Sequence, residues 1–384
     1  LPKTGFGLGI DMAALLRLMG TFGHCGTALP TKTIMKKSIS TLIESSIAEK
    51  VFPGAVVYIL KHEKVRYHEA LGFRSLKPKR LPMQRDTVFD LASLTKPIVV
   101  ATLCLQLAAT GELSLNTPAR TYLPQFRHPD VTPLHLLTHT SGLPAWLPVY
   151  LRAASRADVV PYLGTVPLES RPGQKVVYSC LGYILLGELL ANITNKPLNA
   201  VAHHRLFAPL NMEQTRFNPP PAWRARCAAT EDSNSFERRK VNYQRYDWRE
   251  GVIVGEVHDE NAHFLGGVSG NAGLFSTTTD LGKFCKMLMD GGGQILRPES
   301  VAAMCQHYPA VGERRAIGWS VPEEGMLYHT GFTGTSIRLC LRRKLAAILL
   351  TNRVHPDAHR QGIMAFRNRF HEIVFGPMPT HPVP

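Results

Sequence analysis

The run 97–109 (PIVVATLCLQLAA) constrains this chain more than any other stretch. A helix that is apolar nearly all round cannot lie on a surface and has to be enclosed by other elements. The run is shorter than the eighteen or so residues that a membrane-spanning helix needs, and Gln106 interrupts it. No longer apolar run occurs elsewhere, so no integral membrane segment is expected. The run reads as a core helix ending at Gly111, and the rest of the chain must supply the layers that cover it.

Those layers are legible at both ends of the chain. Ile34, Ile39, Leu42, Ile43 and Ile47 recur at helical spacing and predict a helix over 32–49. After Pro53-Gly54, AVVYILKHEKVRYHEALGF reads as two β-rich runs joined by a tight turn at 62–64. Towards the other end, a glycine-rich turn from Gly266 leads into a helix over 279–289. Strand-like runs then cover 316–321, 326–329, 336–341 and 346–351, and a last helix falls between 359 and 375. The middle is richer in proline and short helical patterns, shows no convincing hairpin, and has its best helix over 181–191. The polar, basic stretch 218–249 reads as long ordered loop.

The expected fold class is therefore α+β, an α/β sandwich. An antiparallel sheet built from both chain ends is flanked by helices, and a mainly helical region is inserted between them. In residue terms, 32–111 and 266–384 form the sheet domain and 112–265 the inserted domain. A cleft between the two lies at the start of the buried helix.

Composition narrows the function classes. The formal net charge is +15, but the basic residues are scattered, with small clusters at 77–80, 238–240 and 342–344. A nucleic-acid surface would gather charge on one stripe with aromatics between, so a solvated basic surface is expected and no nucleic-acid partner. The seven cysteines are widely spaced without a CxxC pair, which argues for free, mostly buried thiols rather than disulfides or a zinc knuckle. Residues 1–31 read as a leader or a loosely ordered tail. Residues 12–29 have some apolar leader character, interrupted by Arg17 and His24, with Cys25 the one nearby lipidation candidate.

Three short constellations carry chemistry. Ser93-Leu94-Thr95-Lys96 opens the buried helix, where residues three apart share one face and the Lys96 amine reaches the Ser93 hydroxyl. A serine is a poor nucleophile until its proton is taken, and a desolvated lysine can take it. The helix N-terminus adds N–H groups and a positive dipole end for a developing oxyanion. The alternative is an N-cap serine beside a solvated lysine, which fits poorly with the wholly apolar turn that follows. Tyr178-Ser179-Cys180 precedes the 181–191 helix. A tyrosine near cationic groups can join a proton relay, but a buried aromatic at a helix entry looks the same. His329-Thr330-Gly331-Phe332 lies at a strand end, where glycine lets a substrate backbone approach; a plain strand end with a turn is the alternative.

In the order SxxK, YxN-like and K/H-T-G, the set resembles the serine β-lactamase and penicillin-binding-protein superfamily. LLTHTSGLP (136–144) and the lead-in FDLASLTK resemble its class C β-lactamase and D,D-peptidase branch. GEVHDENAHFLGGVSGNAGLFSTTTDLGKF (255–284) and HTGFTGTS (329–336) resemble a narrower group of cell-wall-associated hydrolases. The resemblance runs from about residue 32 to the last helix. It implies that Ser93 is acylated, that Lys96 activates it, and that Tyr178 carries protons to the leaving group and from the deacylating water. His329 takes the first position of the K/H-T-G motif. The backbone N–H groups of Ser93 and Phe332 would form the oxyanion hole, with Cys180, Thr330 and Gly331 contacting substrate.

The resemblance also implies no metal and no cofactor. Its substrates would be small molecules or peptidoglycan fragments, β-lactams among them, in the periplasm or cell envelope, with the cytoplasm as the alternative. The activity implied is hydrolysis of peptidoglycan-type amides or peptides through a serine acyl-enzyme. A carboxylesterase of the same fold, and a non-catalytic or slowly turning over penicillin- or cell-wall-binding protein, are the alternatives. Two departures bear on the substrate. Cys180 stands where Asn, or Asp in the narrower group, is usual, and a thiol is a weak donor and weaker acceptor. His329 stands where lysine is usual; only partly cationic near neutral pH, it would hold a substrate carboxylate less firmly.

Other histidines are expected to be structural. His135 and His139 lie four apart without the Glu of an HExxH helix, and adjacent His203 and His204 point apart. The loop 258–261 is placed beside the cleft by the resemblance, without a chemical role.

Overall fold

The computed structural model describes residues 32–243 and 245–377, so the reading of residues 1–31, Cys25 included, lies outside the described residues. Its strands are β1 (Gly54–Lys61), β2 (Lys64–Ser75), β3 (Leu81–Pro82), β4 (Phe89–Asp90), β5 (Arg216–Phe217), β6 (Ala229–Asp232), β7 (Val252–Val254), β8 (Leu274–Ser276), β9 (Met326–Thr330), β10 (Ser336–Cys340) and β11 (Leu345–Thr351). Six of them form one sheet in the order β3-β2-β1-β11-β10-β9, antiparallel throughout. The two chain ends thus meet at the β1–β11 pair.

The period-2 alternation of β1 explains why both faces are covered. Ala55, Val57 and Ile59 join Ile39, Ile43, Phe366 and Phe370 in one core, which belongs to helices α1 (Lys32–Ala48) and α8 (Ile363–Phe375). Val56, Tyr58 and Leu60 face the other core. That second core holds the expected buried helix, α2 (Ala92–Ala109), and the helices α3 (Cys180–Thr194) and α6 (Thr278–Met289).

Helix α2 starts five residues before the run 97–109 and reaches 18 residues at a mean hydropathy of 1.5. It is long and apolar enough to cross a membrane on those two measures, but it is 78% buried within the protein. That enclosure identifies it as a core helix. It opens as a 3₁₀ turn, widens into a π turn over Lys96–Ala101, and becomes α-helical from Thr102. Pro97 accounts for the widening: it lacks the N–H of a regular helix, and its ring would clash with the carbonyl four residues back, that of Ser93.

The middle of the chain holds more structure than expected. The stretch 218–249 contains a 3₁₀ helix (Pro221–Arg226), strand β6 and helix α4 (Ser235–Val241), and β6 pairs with β7. Strand β8, also unforeseen, lies between β4 and β5 in a small sheet. Residues 316–321 are not a strand. Gly318 takes a φ of +79° there, and only isolated bridges from Ser320 reach Tyr328 and Arg315. Helix α7 (Pro298–Cys305) and the short helix α5 (Glu260–Phe264) complete the elements used below. Six described cysteines are free thiols, all buried except Cys180, which is partly exposed.

Candidate active site

Ser93 lines a cavity of about 820 Å³ and sits on the first turn of α2. The residue before it, Ala92, has a φ of +48°, a conformation held only where surrounding contacts dictate it. They do so here. Asp90 Oδ1 accepts the Ala92 N–H at 2.8 Å, Thr95 Oγ1 donates to Ala92 O at 2.7 Å, and Leu91 N donates to Leu274 O at 2.9 Å. Asp90 Oδ2 also accepts the His258 N–H at 2.7 Å, which ties the turn to the 258–261 loop.

Lys96 is 0% exposed. Its Nζ lies 3.0 Å from Ser93 Oγ and 2.9 Å from the backbone oxygen of Asn271. The amine also sits 5.1 Å from the centre of the Tyr178 ring, so Ser93, Lys96 and Tyr178 are neighbours. Burial disfavours the ammonium, but the surrounding groups, Cys180 and Tyr178 first, outweigh it, and the Lys96 pKa lies above the ordinary lysine value. Burial pushes the Cys180 thiol up.

Tyr178 is held by a shell that spacing alone does not reveal. The His139 ring packs 4.4 Å from it, with His139 Nδ1 accepting the Ser179 N–H at 3.0 Å, and the Arg315 guanidinium lies 5.1 Å from the phenol ring. His139 is buried, and its pKa is well below the ordinary histidine value, first through burial and then through the charges of Arg315 and Lys96. Its role is therefore positional, in line with the structural reading. His135 caps a short helix through Thr132, again a structural role.

His329 departs from its expectation. It lies on β9 beside Tyr178, with ring centres 5.9 Å apart, but it is buried and does not line the cavity. Burial, then Arg315 and Lys96, hold its pKa well below the ordinary value. The partly cationic histidine expected from the sequence is a neutral one. Its Nδ1 is hydrogen-bonded to Thr330 O at 2.9 Å.

Thr330, Gly331 and Phe332 do line the cavity beside Ser93. The strand end is docked on the Ser93 turn: Thr333 Oγ1 donates to Asp90 O at 2.8 Å and Thr335 Oγ1 to Leu91 O at 3.0 Å. Gly331 is required there, because a Cβ would lie 2.4 Å from Leu91 O. The buried Arg367 braces the same segment from behind, donating to Gly331 O at 3.0 Å and Thr335 O at 2.8 Å. Phe332 stacks on His258, and the Arg353 guanidinium covers its ring at 4.7 Å.

The loop 258–261 does border the cavity. His258 and Asp259 line it, while the Asn261 side chain accepts the Val149 N–H and donates to Leu147 O. His258 Nε2 is 3.0 Å from Glu231 Oε2. Trp146, Glu237 and Lys240 also line the cavity, and no sequence signal singled them out. Among the described residues no group of three His, Cys, Asp or Glu side chains is placed to hold a metal ion.

With this geometry in hand, the chain can be set beside known proteins. The profile of the family described as Beta-lactamase matches residues 39–367. An N-acetylmuramyl-L-alanine amidase of Bacillus subtilis is 29% identical over 366 residues, covering 85% of this chain and 82% of the relative. A putative D-alanyl-D-alanine carboxypeptidase of Salmonella enteritidis is 28% identical over 351 residues, covering 79% of each. Among solved structures, EstCE1, a hydrolase with promiscuous acyltransferase activity, superposes with a TM-score of 0.73 at 21% identity, over 90% of this chain and 99% of its own. That likeness bears on the fold, and it agrees with the α+β architecture above.

Proposed function

The chain belongs to the Beta-lactamase family, whose members are serine hydrolases, and from that premise we propose that it cleaves amide, peptide or ester carbonyl compounds through an acyl-enzyme on Ser93. The observation that carries the reading is the 3.0 Å contact between Ser93 Oγ and the fully buried Lys96 Nζ. In its neutral form the lysine takes the Ser93 proton as Oγ forms a bond to the substrate carbonyl carbon. The carbonyl oxygen becomes an oxyanion held by the N–H groups of Ser93 and Phe332. As the intermediate collapses, the bond to the leaving group breaks, and Lys96 and Tyr178 return the proton to it. Water then attacks the acyl carbon as Lys96 and Tyr178 take its proton, and the acyl–Oγ bond breaks as that proton returns to Ser93 Oγ, releasing the carboxylic acid. Thr330, Gly331 and Cys180 contact the bound substrate.

Peptidoglycan-type amides and peptides are the favoured substrates, supported by the amidase and carboxypeptidase names of the two relatives. An ester reading rests on a separate observation. His329 is neutral and buried, so the K/H-T-G position offers no cation to a substrate carboxylate. Turnover of a short-chain nitrophenyl ester, nitrocefin and muropeptides, by wild type and Ser93→Ala, tests both. Muropeptide cleavage lost in Ser93→Ala supports the favoured reading; turnover of the ester alone shifts it to an esterase. Unchanged turnover in Ser93→Ala rules out the serine mechanism.

A further inference from the structure

The cavity has an acidic wall that the acyl-transfer chemistry leaves unused. Glu237, on α4, is only 8% exposed, yet it lines the same cavity as Ser93. Its Oε1 is buried with no hydrogen-bond partner. The Tyr150 hydroxyl is close enough to act on this carboxyl as a hydrogen-bonding group, but the two do not meet in full hydrogen-bond geometry and both atoms are buried. A buried carboxyl oxygen left unsatisfied costs about 1–3 kcal/mol, so its retention on a cavity wall calls for a partner that arrives from the cavity.

The neighbours define the partner's charge. Asp259 also lines the cavity and acts on both Glu237 and Lys96. Its Oδ1 accepts from Asn271 Nδ2 at 3.1 Å, and the Asn271 carbonyl receives Lys96 Nζ. The acidic wall therefore adjoins the lysine of the reaction centre. Lys240 does not neutralise it by an ion pair: its ammonium lies 3.7 Å from the centre of the Trp146 ring. The indole face of Trp146 is thus filled by this ammonium and is not open to a second one. Glu260, the next acid, is consumed by Arg249, Asn234 and Tyr246.

We propose that Glu237, with Asp259, forms a subsite for a substrate that carries a protonated amine, so that amino-bearing esters, amides or peptides are preferred over neutral ones. The inference rests on the serine-hydrolase reading for its reaction but not for its binding. A carboxylate opposite an ammonium in a partly desolvated pocket gives a charge-assisted hydrogen bond. Binding has a further signature. Burial first, then the negative charges of Asp259 and Glu260, raise the Glu237 pKa to about 8, against the opposing effects of Tyr150 and Lys240. Free Glu237 is thus largely protonated at pH 7, and an arriving ammonium expels that proton.

The test has two arms. In the first, wild type and Glu237→Gln are compared on a pair of nitrophenyl esters of equal length, butyryl and 4-aminobutyryl. The expected result is that wild type prefers the amino ester by about tenfold or more in kcat/KM, that Glu237→Gln loses this preference, and that butyryl turnover stays unchanged. An equal fall on both esters, or a preference that survives the substitution, overturns the proposal. In the second arm, Ser93→Ala, with and without Glu237→Gln, is titrated calorimetrically at pH 7 with 4-aminobutyramide in two buffers of different ionisation heat. Binding with proton release that disappears in the double variant supports the subsite; no binding, or no proton release, overturns it. If neither ester is turned over by wild type, the serine-hydrolase reading falls while the second arm still decides the subsite.

Discussion

Replacing Gly331 with alanine tests whether the docked strand end builds the oxyanion site. A Cβ at this position would meet Leu91 O at 2.4 Å and Thr335 Oγ1 at 2.2 Å. Neither can yield cheaply. Leu91 O is backbone and accepts from Thr335 Oγ1, Gly331 N donates to Thr335 O at 2.8 Å, and Arg367 clamps the carbonyls of both residues. Relieving the clash to an ordinary carbon–oxygen contact moves the strand end from the Ser93 turn by about 1 Å. A misplacement of about 1 Å costs about 10²-fold in rate, and losing one oxyanion donor costs about 10²–10³-fold in kcat. Gly331→Ala should therefore lower kcat by roughly 10²–10³-fold with KM little changed. Overpacking should reduce stability by only about 1–3 kcal/mol, a shift of a few degrees in Tm. Steady-state kinetics on a nitrophenyl ester, paired with a thermal melt, read both quantities. A folded Gly331→Ala protein with near wild-type kcat would refute the assignment of the Phe332 N–H.

Further predictions follow from the same geometry. Lys96→Met keeps a linear side chain in a buried site but removes the base, and should reduce acylation by about 10²–10⁴-fold, measured as single-turnover labelling by a fluorescent phosphonate. Cys180→Asn should raise turnover of amide substrates, because an amide reaches both Lys96 and a substrate carbonyl where a thiol does so weakly; no gain would mark the cysteine as part of a working site. His139, His329 and His371 all have pKa values well below the ordinary one, chiefly through burial. The unfolded chain therefore binds more protons as pH falls through about 6.5, and stability is lost below that pH, approaching about 4 kcal/mol per pH unit once all three titrate in the unfolded state. Urea unfolding at pH 7.5, 6.5 and 5.5 checks this, and a flat profile would contradict the burial of these three rings.

Much of this was legible in the sequence because it depends on local spacing. Ser93 and Lys96 are one helical turn apart, and the apolar run after them dictates enclosure, so the contact between them follows from short-range geometry. The apolar runs of β1 and β11 likewise announce central strands. What the sequence hid depends on distant pairing. The polar composition of 218–249 suggested loop, because β6 gains its partner β7 some twenty residues later and Glu237 gains its meaning from Asp259 and the cavity. Residues 316–321 look like a strand, but Gly318 turns the chain so that it packs against Pro97 and Ala101. The neutral state of His329 comes first from burial and then from Arg315 and Lys96, none of which its own motif reveals.

The central claim is that Ser93, activated by Lys96, forms the covalent intermediate. Intact-protein mass spectrometry after exposure to an ester-directed phosphonate, followed by peptide mapping, tests it most directly. The account predicts a single adduct on the peptide containing Ser93, absent in Ser93→Ala and strongly slowed in Lys96→Met. An adduct that persists in Ser93→Ala, or maps to another residue, would contradict it.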